Sequence, residues 1–177
     1  MTTLSIILIV ITIIIGIPLI VALFVKRAHR IERSVVIYKA TPEVFNYIAH
    51  IKNQIHYNVW VQADPNLKQD FIGTDGTVGF INTWNGNKKA GEGRQEIINI
   101  IPNDRIDLQL QFFRPFKSTM NGSTITKDLL DGSTKVTSIV YGISNYPMNL
   151  MNLVMNGLLG KDIDANLNNM KAILEKH

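Results

Sequence analysis

The sequence predicts an α+β fold, a curved antiparallel sheet covered by a long C-terminal helix, preceded by one apolar helix of membrane-crossing length. Three observations carry this reading. Residues 67–143 fall into short strand-like segments separated by turn residues, the stretch after Pro147 returns to a helical period, and Met1–Val25 contains no charged residue.

The run Leu4–Val25 is almost wholly aliphatic, and at about 1.5 Å per residue it makes a helix of roughly 33 Å, matching a hydrocarbon core of roughly 30 Å. Gly16 and Pro18 are both tolerated in membrane helices. A cleaved signal peptide would need a basic start and an apolar core of only about 7–15 residues, and Met1-Thr2-Thr3 has no base. Lys26, Arg27, His29, Arg30 and Arg33 follow directly, opposed only by Glu32. The positive-inside rule then predicts a single-pass protein of a bacterial inner membrane, with its domain in the cytoplasm and the membrane as a partner through the N-terminal helix. Residues 1–30 are read as anchor and basic flank, and residues 31–177 as one soluble domain.

Composition narrows the function classes. The net charge is +4, and residues 26–33 supply +3 of it, so the remainder carries no basic stripe of the kind nucleic-acid binding requires. There are no cysteines, which excludes disulfides, thiolate catalysis and sulfur-ligated metals.

Within the domain, Ile31–Lys39 is rich in β-branched residues and reads as a first strand. Ala40–His50 follows with helix-start chemistry: Thr41 as N-cap, Pro42 in the first turn, and Glu43 near the positive end of the dipole. Val44, Phe45, Ile48 and Ile51 recur at helical spacing, and a second short helix falls around Lys52–Tyr57. Strands are then predicted over Thr77–Trp84, Arg94–Ile101, Arg105–Phe113, Ser118–Leu130 and Thr134–Ile143. They are punctuated by Gly73–Gly76, Asn85-Gly-Asn87, Pro102-Asn-Asp104, Arg114-Pro115 and Asp131-Gly132. Ile106, Leu108, Leu110 and Phe112 alternate with Asp107, Gln109 and Gln111, so one face is buried, and the short connections imply an antiparallel meander. After Tyr146-Pro147, an apolar stripe of Leu150, Leu153, Val154, Leu158, Ile163, Leu167, Met170 and Leu174 predicts the long helix, loosened near Gly157 and Gly160. A one-faced sheet under such a helix leaves a gap between them, and that gap is the expected ligand site.

Several segments in this order resemble the START/Bet v 1-like (SRPBCC) superfamily in its polyketide cyclase/dehydrase-like branch. They are Thr41-Pro-Glu-Val-Phe-Asn-Tyr-Ile48, Phe71-Ile-Gly-Thr-Asp-Gly-Thr-Val-Gly79, Gly93-Arg-Gln-Glu-Ile97 with Ile101-Pro-Asn103, Thr134-Lys-Val-Thr137 and Tyr146-Pro-Met-Asn-Leu150. The resemblance spans Ile31–Glu175 and leaves out the N-terminal apolar segment. It implies a helix-grip fold and a cavity under the long helix that holds a hydrophobic small molecule or lipid.

The candidate ligand-binding residues are Tyr57, Trp60, Phe80, Trp84, Phe112 and Tyr141, with Met148, Met151 and Met155 on the terminal helix. Arg94 and Glu96 share strand parity with Ile98 and Ile100, so an inward-facing charged pair is possible there; with Asp107 or Asp128 they are the only acid–base candidates. His29, His50, His56 and His177 have no partner at a metal-ligand spacing, and neither a nucleophile elbow nor a phosphate loop occurs, so neither a metal nor a cofactor is expected. Asn121-Gly-Ser123 is read as turn chemistry. The function expected is a membrane-anchored binder of a hydrophobic molecule. A cyclase-like enzyme and a non-catalytic interaction module are the alternatives.

Overall fold

The computed structural model describes residues 2–176; Met1 and His177 lie outside it. Seven strands form one antiparallel sheet: β1 (Ala28–Ile37), β2 (Lys68–Ile72), β3 (Ile81–Asn85), β4 (Glu92–Ile101), β5 (Arg105–Arg114), β6 (Ser118–Asp128) and β7 (Thr134–Ile143). Their order across the sheet is β1-β7-β6-β5-β4-β3-β2, a meander from β2 to β7 that β1 closes by pairing with β7. The helices are α1 (Thr3–Phe24), α2 (Thr41–Ala49), α3 (Gln54–Tyr57), α4 (Val59–Gln62) and α5 (Asn152–Leu174), with short 3-10 turns at Ile51–Asn53 and Met148–Met151. This is the predicted α+β architecture with its long terminal helix.

The strand boundaries follow the turn chemistry. Asn103 and Leu130 adopt positive φ in the connections after β4 and β6, beside Gly132 at φ +82°. β1 begins at Ala28, ahead of the expected Ile31, because its ladder with β7 continues as far as Ile143. β2, which the sequence reading did not separate out, is an edge strand whose side chains are mostly exposed, so it lacks the buried alternation that marks the others. Asn121-Gly-Ser123 is not a turn. It lies inside β6, where Gly122 sits opposite Leu108 on β5.

Thr41 also departs from expectation. The helix begins at Thr41 with Ala40 as its cap, and the Thr41 hydroxyl is drawn instead into a buried hydrogen bond with the Thr134 hydroxyl at 3.0 Å. That contact ties α2 to the start of β7. Val44, Phe45 and Ile48 of α2 then pack into a core shared with Ile31, Ile37, Ile97, Ile106 and Val136 of the sheet and Ile163, Leu167, Met170 and Leu174 of α5.

Only the second half of the expected stripe on α5 is buried; Leu153, Val154 and Leu158 are 63%, 51% and 64% exposed. The face that meets the core runs through Met155, Leu159, Ile163 and Leu167, at the i, i+4 spacing of one helical face. Helix α5 runs unbroken past Gly157 and Gly160. Gly160 has a packing role: a Cβ there would fall 2.2 Å from the Arg33 guanidinium. Arg33 uses that space to donate to the Asp164 carboxylate at 3.0 Å and to the Asn156 carbonyl at 3.2 Å, fastening β1 beneath α5.

The expected membrane span is corrected. Among the described residues no helix is long and apolar enough to cross a membrane, which overturns the single-pass placement and the location drawn from it. The C-terminal turns of α1 are part of the domain surface. Ala22 is buried, Asn149 donates to the Ala22 and Val25 carbonyls at 2.6 and 2.9 Å, and the Tyr146 hydroxyl reaches the Leu19 carbonyl at 3.4 Å. The part of α1 ahead of these contacts, Thr3–Pro18, extends about 24 Å at 1.5 Å per residue, less than a hydrocarbon core of roughly 30 Å.

The outer face of the sheet carries a polar network centred on Asp107, which is 8% exposed. Its carboxylate accepts from Arg105 Nε at 2.7 Å, Ser123 Oγ at 2.5 Å and Asn99 Nδ2 at 3.0 Å. Burial pushes the Asp107 carboxyl up, but the bonds from Asn99, Ser123 and Arg105 outweigh it and hold the group below its ordinary value. A carboxyl depressed in the folded state contributes stability that is present above the ordinary value of about 3.9 and is lost as pH falls through the folded value. Urea midpoints measured from pH 7 down to pH 2 are therefore expected to show a weaker acid dependence in Asp107→Asn than in the parent. Parallel curves would remove Asp107 as a source of acid sensitivity.

Candidate ligand-binding site

A cavity of about 370 Å³ lies between the inner face of the sheet, α5 and the α2–α4 segment. That volume falls within the range of small-molecule sites. Its position follows from the fold: β2 to β7 supply one wall, Ile163 and Leu167 of α5 the roof, and Tyr57 and Trp60 one side. Register shifts at Glu92/Gly93 and Ile97/Asn99 in β4 bend the sheet here, as bulges do.

Four of the expected aromatics meet at the cavity: Tyr57, Trp60, Trp84 and Phe112. Trp84 and Phe112 stack edge to face with centroids 5.7 Å apart, and the Trp84 indole donates to the Ala90 carbonyl at 3.2 Å. Trp60 donates from its indole to Asp162 of α5 at 2.9 Å, which leaves its ring face as apolar surface. Burial pushes the Tyr57 phenol far above its ordinary value, with a contribution from Tyr47, so it stays neutral at physiological pH. The Tyr47 hydroxyl, behind it, is buried and has no hydrogen-bond partner among the described residues.

The other expected residues lie elsewhere. Phe80 is 1% exposed and belongs to the core, stacked on Phe71 at 6.0 Å. Arg94 and Glu96 pair with each other at 2.5 Å on the outer face. The bulge at Ile97/Asn99 explains the difference: Ile98 is the extra residue, 43% exposed, and parity reverses across it, so Ile100 faces the core while Arg94 and Glu96 face out. Tyr141 follows Val140 on β7 and shares the outer face with Arg105, whose charge it influences. Met148 and Met151 are 44% and 49% exposed, and Met155 lines a separate depression beside Phe24 and His29. Asp128, at the end of β6, is exposed and accepts from the Leu130 amide.

Two kinds of lining residue were not anticipated. Lys89 and Arg114, both exposed, mark the open end, where Arg114 is held by Glu92 at 2.6 Å and Asn85 at 2.5 Å. Deeper in, the side-chain amides of Gln54, Gln69, Asn82 and Gln95 line the wall. The signal for Gln95 was present in the sequence as a polar residue at the same parity as Ile97, a core position.

His50 bonds the Asn46 carbonyl at 2.8 Å and His56 is exposed, while His177 lies outside the described residues. Among the described residues no three His, Cys, Asp or Glu side chains gather as a metal site.

No protein-family model matches this chain, and no curated protein does. Its likeness is to solved structures. Truncated norcoclaurine synthase from Thalictrum flavum matches with a TM-score of 0.65 at 12% identity, covering 85% of this chain and 95% of that one. The same enzyme in complex with dopamine and hydroxybenzaldehyde matches at 0.64 and 12% identity, covering 85% and 88%. The di-domain ARO/CYC StfQ from the steffimycin biosynthetic pathway matches at 0.60 and 12% identity, covering 84% of this chain and 51% of that one. These are Bet v 1-like proteins, and the fold they share with this chain is the helix-grip fold the sequence resemblance implied.

Proposed function

We propose that this protein binds a hydrophobic small molecule in the cavity between its sheet and α5. The observation that carries the reading is the cavity itself, about 370 Å³ and lined mainly by aromatic and aliphatic side chains, beside the buried core cluster of the domain. A void of that size forgoes dispersion contacts that a filled core would make, which a bound apolar molecule restores. Norcoclaurine synthase holding two aromatic molecules on the same fold supports the choice of ligand class. Among the described residues lining the cavity the ionisable groups are Tyr57, Lys89 and Arg114, with no carboxylate to pair as an acid–base couple, so binding is favoured over turnover.

The test is a titration of the full chain with 1-aminoanthracene, a neutral apolar probe whose emission rises in a dry site. One probe per chain with a micromolar dissociation constant is expected. Leu110→Trp, which places an indole in the cavity from β5, should weaken binding about tenfold or more while preserving cooperative unfolding. An unchanged titration in a folded Leu110→Trp protein would remove the cavity as the site.

A further inference from the structure

The wall of side-chain amides narrows the ligand class, on the premise that the cavity is the binding site. Gln69, Asn82 and Gln95 come from three successive strands, with Asn82 in register opposite Gln95 across β3 and β4. Gln54 faces them from α3. Asn82 and Gln95 are 2% and 6% exposed, so two primary amides are buried beside aromatic surface. Polar groups buried this way are costly unless bonded, and here they bond mainly to one another.

Those bonds are mostly long. Gln95 Nε2 donates to Gln54 Oε1 at 2.8 Å, but the return bond from Gln54 Nε2 to Gln95 Oε1 is 3.4 Å. Gln69 Nε2 reaches Asn82 Oδ1 at 3.4 Å, and Asn58 Nδ2 reaches Gln54 Oε1 at 3.4 Å. Well-formed N–H···O bonds cluster near 2.9–3.0 Å, and each primary amide offers two donors and a two-lone-pair acceptor. Three of these four contacts are therefore weak, and the amides keep unused capacity on the side that meets the cavity. The reciprocal Gln54–Gln95 pair is a donor beside an acceptor facing an acceptor beside a donor. A ligand edge with the same pattern can replace one member of that pair at little net cost.

Charge sharpens the choice. Among the described lining residues the cations, Lys89 and Arg114, lie at the exposed mouth, and nothing charged stands beside the amides. An ionised group carried to the amide wall would lose its hydration without gaining a counter-charge.

From this geometry we infer that the cavity selects an uncharged molecule with an apolar body and, on one edge, a hydrogen-bond donor next to an acceptor, as in a carboxamide or lactam. The test uses three probes of one shape, naphthalene, 2-naphthamide and 2-naphthoate, titrated against the full chain. Trp60 and Trp84 are the chain's two tryptophans and both line the cavity, so their fluorescence reports occupancy. The amide is expected to bind about tenfold or more tightly than naphthalene. Gln95→Leu should bring the affinities for the amide and for naphthalene together, and Gln54→Met, a substitution on α3 that leaves the strand residues unchanged, should do the same. Equal affinity for naphthalene and the amide, tightest binding of the naphthoate, or an advantage that survives both variants would each overturn the inference. If none of the three binds, the cavity reading falls and this one with it; naphthalene binding without an amide preference removes only the specificity.

Discussion

Phe80→Ala is expected to destabilise the domain by about 3–5 kcal/mol, the cost typical of deleting a fully buried aromatic ring. The ring is 1% exposed, stacks on Phe71 with centroids 6.0 Å apart, and belongs to the core cluster with Ile48, Ile97 and Leu167. Its backbone is fixed as well, since the Ile97 amide donates to the Phe80 carbonyl at 3.0 Å and the Gly79 amide to the Ile97 carbonyl at 2.8 Å. Nothing can close over the space the ring would leave without breaking those contacts. The drop in thermal midpoint should be on the order of 10 °C for a chain of this size. The same variant, held well below its midpoint, should bind an apolar probe nearly as the parent does, because Phe80 does not line the cavity. Trp84→Ala gives the opposite pattern, with a larger loss of probe affinity and a smaller loss of stability. A Phe80→Ala protein of unchanged midpoint that no longer binds would return Phe80 to the ligand site, where the sequence had placed it.

The contrast between Phe80 and Trp84 shows how far the sequence could be read. Alternation identifies which strand residues face inward, and at β5 it correctly separates Ile106 and Leu108 from Asp107. It does not say whether an inward residue meets another side chain or empty space, because that depends on how far α5 stands from the sheet at that point. Arg94 and Glu96 fail for a different reason. A one-residue bulge reverses parity within β4, and no glycine or proline at Ile97-Ile98-Asn99 announces it. The stripe on α5 misleads at Leu153, Val154 and Leu158 because hydrophobicity alone assigns a face, whereas the helix is oriented by Arg33 reaching Asn156 and Asp164 past Gly160. The amide wall was hidden because Gln and Asn are ordinarily surface residues, and only the pairing of β2, β3 and β4 brings them together.

The bulge at Glu92/Gly93 leads to the second large effect, because fold and site meet at Gly93. A Cβ at Gly93 would lie 2.5 Å from the Gln111 carbonyl oxygen and 2.6 Å from the Trp84 ring. The first obstacle is backbone in a paired strand, which cannot swing away, and the second is the indole that forms the cavity wall. Gly93→Ala must therefore either push β5 outward or turn Trp84 away from Phe112, its edge-to-face partner at 5.7 Å. Overpacking of this kind costs typically about 1–3 kcal/mol and more where backbone must move. Both routes also deform the cavity, so a lowered midpoint and a loss of probe affinity of about tenfold or more should appear together, with a changed Trp84 emission spectrum as the local readout. Trp84→Ala in the Gly93→Ala background separates the two obstacles. Recovery of stability in the double variant would place the strain on the indole, and no recovery would place it on the Gln111 carbonyl. A Gly93→Ala protein with parental midpoint and affinity would show that the close approach of β4, β5 and Trp84 does not shape the cavity.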